Sequence, residues 1–129
     1  LWPNGEFVTT NLIVSTKFLK DHPDIVERLV RAQVKTTQAI NADPAKTKAL
    51  VNSEIKRMTS AALAPEVLDG AWKNLVFTWD PVVSSLRKAA DAAFKLGFLG
   101  DKPPDLSKIY DLSALRKVLL ELSLPALKE

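Results

Sequence analysis

Apolar positions in this chain follow two periods, and the change between them falls at Ser15. Phe7, Val8, Thr9 and Thr10, then Leu12, Ile13 and Val14, suit a pleated, half-buried surface and predict a strand. Ser15 offers a hydroxyl to the free N–H groups of a short helical turn, Thr16 to Asp21. His22-Pro23 closes that turn and opens a long helix to Ala42, because Pro suits the first helical position and drives its predecessor out of the helical region. Winding at 100° per residue gathers Ile25, Val26, Leu29, Val30, Ala32, Ala39 and Ile40 on one side, and Asp24, Glu27, Arg28, Arg31, Lys35 and Gln38 on the other. Gln33, Thr36 and Thr37 fall inside the apolar arc. The threonines read as bonding back to the preceding turn, and Gln33 as a marginal residue or a ligand contact.

Four further helices follow. Asp43-Pro44 caps and opens one to about Met58, with a narrow stripe of Leu50, Val51, Ile55 and Met58 that includes Glu54. Pro65-Glu66 begins another to about Lys73, weakened by Gly70, with Val67, Leu68, Ala71, Trp72 and Leu75 as core candidates. Residues 76–79 are expected to be briefly extended. Asp80-Pro81 predicts the cleanest helix, to Leu96, with Val82, Val83, Leu86, Ala89, Ala90, Ala93 and Phe94 on one side and Gly97 as a left-handed C-cap. After a rigid loop containing Pro103-Pro104, Asp111 is expected to cap a last helix to about Leu122, which Pro125 ends. Leu1 to Gly5 read as a loop with an Asn-Gly turn, and Trp2 in it wants cover.

The fold expected is mainly α: about five to six helices with one or two short strands, divided as a strand region at 1–14 and a helical region at 15–129. A single apolar strand followed only by helices leaves unpaired N–H and C=O groups that are costly to bury. The segment is therefore read as an orphan whose partners belong to a larger protein. An exposed strand edge also raises pairing with a second copy, a homodimer.

Composition narrows function more than it names it. The 129 residues, 47% hydrophobic and 26% charged, suit a folded globular chain rather than a disordered one. The net charge of +3 is dispersed, without the basic stripe of a nucleic-acid binder. Thiol chemistry is excluded by the absence of cysteine, and one histidine with scattered carboxylates argues against a transition-metal site. No cofactor is implied. Nor does a catalytic constellation emerge. His22 is explained as a helix-start residue, and the four glycines are isolated rather than phosphate-binding. Asp43, Asp80 and Asp111 each have capping work. Glu54 is either a buried acid or a carboxylate reaching solvent. Trp72, Phe77 and Trp79 are core residues or an aromatic platform for a ligand. The adjacent Thr9 and Thr10 are the polar pair that stands out, against a null of simple threonine β-propensity.

Three stretches taken together, WPNGEFVTTNLIVSTKFLKDHPDIVERLVRA, FTWDPVVSSLRKAADAAFKLGFL and IYDLSALRKVL, carry a resemblance. In that order they resemble the C-terminal portion of periplasmic substrate-binding proteins of bacterial ABC importers, closest to the aliphatic-sulfonate, nitrate and taurine-type branch. The resemblance implies a two-lobed α/β protein that closes on a small anion and delivers it to an ABC permease, outside the cytoplasm and without catalysis. Residues 7–14 would then lie near a crossover between lobes, with Thr9 and Thr10 as ligand contacts. Two other classes stay open. One is a free-standing helical interaction module. The other is an enzyme of the thiamine-pyrimidine-precursor kind, which shares the two-lobed fold but needs an acid–base pair or nucleophile absent here.

Overall fold

Each helix begins and ends where local chemistry satisfies its free backbone groups, and most of those signals are visible in the sequence. The computed structural model describes residues 5–127. The helices are α1 (Thr16–Asp21), α2 (Pro23–Ala42), α3 (Pro44–Thr59), α4 (Pro65–Trp72), α5 (Val83–Lys95) and α6 (Ser113–Glu121). The expected Trp2 loop lies outside the described residues.

The Ser15 hydroxyl accepts from the Phe18 N–H at 3.1 Å and starts α1. The His22 N–H closes α1 on the Phe18 carbonyl at 2.9 Å, while the His22 carbonyl accepts from Ile25 and Val26 at the head of α2. His22 is thus the joint between two helices, as its place before Pro23 implies. Asp43 caps α3 through Lys46 N–H at 2.9 Å. At the far end of α5, Gly97 takes φ +80°. There its N–H reaches the Phe94 carbonyl at 2.9 Å, and Phe98 N–H reaches Ala93 at 3.0 Å. That pair of bonds is a Schellman motif, which needs a left-handed residue at this position. The same pair closes α6, from Ser123 to Leu120 and from Leu124 to Leu119. Here the left-handed residue is Ser123, at φ +52°.

Two helix starts differ from expectation. Asp80 does not cap α5; its carboxylate accepts from Val82 N–H at 2.8 Å, and the helix begins at Val83. Val82 itself sits at φ 48°, ψ 62°, an uncommon place for a β-branched residue. Asp111 likewise accepts from Ser113 N–H at 3.0 Å, and α6 starts at Ser113 rather than directly after the aspartate. In both cases the carboxylate closes a local turn two residues before the helix proper.

The larger correction concerns the strands. Residues 6–15 form no helix, turn or sheet ladder, and no strand occurs among the described residues. Residues 76–79 form none either. A ladder needs a second strand, and this chain supplies no other β-run to face 7–14.

The chain divides into two units. The first, Leu1–Arg31 with Asp80–Glu129, holds α1, the start of α2, α5 and α6. Its buried residues include Val26, Ser85, Val118 and Leu119. A ring of charges ties α2 to α6: Glu27 accepts from Arg31 at 2.9 Å and from Lys117 at 2.6 Å, and Arg31 also pairs with Glu121. The Lys117 and Arg31 partners hold the Glu27 carboxyl below its ordinary range, and Glu27 in turn raises Lys117.

The second unit, Ala32–Trp79, holds the rest of α2, α3 and α4. Val34, Thr37 and Leu68 are buried in it. The Asn52 amide clamps the connector after α3, donating to the Leu63 carbonyl at 2.9 Å and accepting from Leu63 N–H at 2.8 Å. Lys48 pairs with Asp69 between α3 and α4. Trp72 and Phe77 pack as tilted rings with centroids 4.8 Å apart. Asn41 donates to the Phe77 carbonyl at 3.0 Å.

Along α2 the buried side chains are Val26, Val34 and Thr37, whereas Leu29, Ala32 and Ala39 of the expected arc are exposed. The inward stripe is therefore turned around the helix axis from the one expected. Thr37 bonds back to the Gln33 carbonyl at 3.0 Å, which satisfies its buried hydroxyl.

Candidate functional site

The segment before α1 is where polar chemistry and incomplete burial coincide, and it lies wholly within the first unit. Its first anchor is local to α5. Val8 N–H donates to the Ser85 hydroxyl at 3.4 Å, a long bond to a residue only 2% exposed. Ser85 lies on the first turns of α5, at the edge of the alanine-rich face formed by Ala89 and Ala93. A small polar residue there lets the backbone of the segment approach the helix.

The second anchor is Tyr110, in the loop ahead of α6. Its hydroxyl oxygen is buried without a hydrogen-bond partner among the described residues. Burial pushes its pKa up, and the nearby Asn11 side chain draws it part of the way back. The geometry places Asn11 toward the phenol without closing a bond between them. A buried polar atom left in this state is expensive, about 1–3 kcal/mol.

Between these anchors stand Thr9 and Thr10, both exposed. Neither hydroxyl makes a bond among the described residues. Ser85, Thr9, Thr10, Asn11 and Tyr110 thus bring neutral hydroxyl and amide groups to one stretch of chain. Such groups hold an oxyanion by directed hydrogen bonds rather than by a full counter-charge. They provide no acid–base pair.

The other candidates fall elsewhere. Glu54 is exposed and accepts from Arg57 at 2.7 Å, so it is a solvated surface acid. Gln33 is exposed. Trp72 and Phe77 are half-buried against each other in the second unit, with Trp79 also half-buried, so they read as packing residues. No cluster of three metal-ligating side chains occurs among the described residues. No described helix is long and apolar enough to cross a membrane.

Two residues of the candidate site, Ser85 and Tyr110, escape sequence reasoning. Ser85 could have been found as a serine bordering an alanine face. Tyr110, the single tyrosine, gives no signal of burial in its own neighbourhood. A separate open groove of about 350 Å³ lies along α6 and the residues after it, lined by Arg116, Leu119, Leu120, Leu124, Ala126 and Leu127. It is apolar and holds none of the candidate residues.

No protein-family model matches this chain, and no curated protein or solved structure matches it either.

Proposed function

We propose that this chain is the C-terminal part of an extracytoplasmic solute-binding protein. It would capture a small oxyanion of the sulfonate, nitrate or taurine kind and deliver it to an ABC permease, without catalysis. One observation carries the reading. The run Leu12-Ile13-Val14 is exposed by 56, 85 and 38%, with no sheet to receive it. An apolar segment left in water beside a helical body is what remains when the receiving sheet belongs to the rest of a two-lobed α/β fold. The order of elements after it follows the resemblance from the Asp-His-Pro helix start to the final helix. In this reading Thr9 and Thr10 sit at the crossover between lobes and supply hydroxyl contacts to the anion, and the lobes close over it by a hinge.

The test is calorimetry with taurine, an alkanesulfonate and nitrate. The protein expressed from its uninterrupted reading frame should bind one of them. The 129-residue chain should bind none, because half of the cleft would be missing. Micromolar binding by the 129-residue chain, or no binding by the full product, sinks the reading.

A second reading, a helical interaction module, draws on α3 and α4. Leu50, Met58 and Val67 are 62, 67 and 55% exposed. Helix faces of this kind dock partner helices. It predicts that the 129-residue chain alone retains its full binding activity toward a protein partner.

A further inference from the structure

The segment before α1 specifies more than the presence of a sheet, and the inference drawn from it rests on the function proposed above. In a strand, successive side chains point to opposite faces. Leu12 and Val14 therefore share one face and Ile13 takes the other. All three are exposed apolar side chains, so both faces lack cover. A strand with only one buried face alternates apolar with polar residues, whereas a strand buried on both faces reads as a continuous apolar run. The backbone is equally unserved. No N–H or C=O group of Thr9 to Val14 meets another backbone group among the described residues.

Covering both faces removes water from both edges of the same backbone. Each N–H and C=O would then need a protein partner, and in a strand these groups point alternately to the two edges. A single neighbouring strand can satisfy only one edge. We infer that Thr9–Val14 is an interior strand, received between two strands of an α/β sheet with apolar cover on both faces. A second copy of this chain, paired edge to edge, cannot provide that environment.

The exposed area points to an occupant of the right size. The chain exposes 9926 Å², whereas a compact monomer of 14.2 kDa exposes about 6,800 Å². The surplus of about 3,000 Å² exceeds the roughly 1,200–2,000 Å² of a standard reversible interface and matches a permanent one.

Hydrogen exchange resolved to single residues tests this on the protein expressed from its uninterrupted reading frame. Every amide from Thr9 to Val14 should be protected at least ~100-fold relative to the 129-residue chain. Protection at alternate amides would mean pairing on one edge and overturns the inference, as does protection at none. Ile13→Lys provides a second measurement. It should leave the urea midpoint of the 129-residue chain unchanged, since Ile13 is already in water there. In the full product it should abolish protection across Thr9–Val14, and retained protection would show a water-facing side and overturn the inference. The outcomes separate from those of the ligand test. Full protection without anion binding keeps the interior strand and rejects the proposed ligand, while binding without protection does the reverse.

Discussion

The two Schellman motifs offer an experiment in which one position controls for the other. α5 and α6 end with the same pair of hydrogen bonds, but Gly97 holds the left-handed position in one and Ser123 in the other. An L-residue in that conformation carries about 1–2 kcal/mol of steric cost that glycine avoids. Glycine returns part of the gain, about 0.4–1 kcal/mol, through the greater freedom of its unfolded chain. Ser123→Gly should therefore stabilise by about 0.5–1 kcal/mol. Gly97→Ala should destabilise by a similar amount. A Cβ built on Gly97 meets nothing within 4 Å, so the backbone alone sets that cost. For 129 residues the unfolding entropy is about 0.27 kcal/mol/K, which converts the expected change to roughly 2–4 °C in opposite directions. Circular dichroism followed through thermal and urea unfolding is sufficient to see it. A Ser123→Gly variant that melts lower, or a Gly97→Ala variant that melts unchanged, refutes the assignment of these two helix ends.

Three other outcomes can be checked on the 129-residue chain. Tyr110→Phe removes a buried hydroxyl without a partner, so stability should hold or rise by up to about 1 kcal/mol; a loss greater than that in urea titration would mean that the phenol is bonded. Asn52→Ala breaks both bonds to Leu63 and should cost about 1–3 kcal/mol, while Asn52→Asp should not rescue it, because a carboxylate would face the Leu63 carbonyl. Glu27 has its folded pKa depressed by Lys117 and Arg31, so its contribution is complete above the ordinary carboxylate range and is lost as pH falls through the depressed value. The wild-type chain should thus lose more of its urea midpoint between pH 7 and pH 3 than Glu27→Gln does, and equal losses would remove the ring of charges from the account.

Local capping was legible residue by residue. Ser15, Asp43 and Gly97 do in the structure what their side chains, or the lack of one, allow within a few positions. Asp80 and Asp111 were read one step too simply, since an aspartate can close a turn ahead of a helix as readily as it caps one. The inward face of α2 was not legible. Apolar residues occupy so much of its circumference that neighbouring elements, rather than periodicity, select Val26, Val34 and Thr37. Thr9 and Thr10 were singled out from sequence, but Ser85 and Tyr110 reach that stretch from far along the chain. Neither the missing ladder nor the exposed Leu12-Ile13-Val14 run could be seen without coordinates, because pairing is a property of two strands.

Proteases bind their substrates as straightened backbone, and most of a folded protein is safe because its backbone is already occupied. The Thr9–Val14 stretch has no such occupation. An enzyme cutting after a bulky apolar residue could accept Leu12 without any unfolding, leaving the helices behind it whole. How long this molecule survives among secreted peptidases is then governed by whatever shelters a handful of residues, and hardly at all by the firmness of the helical body.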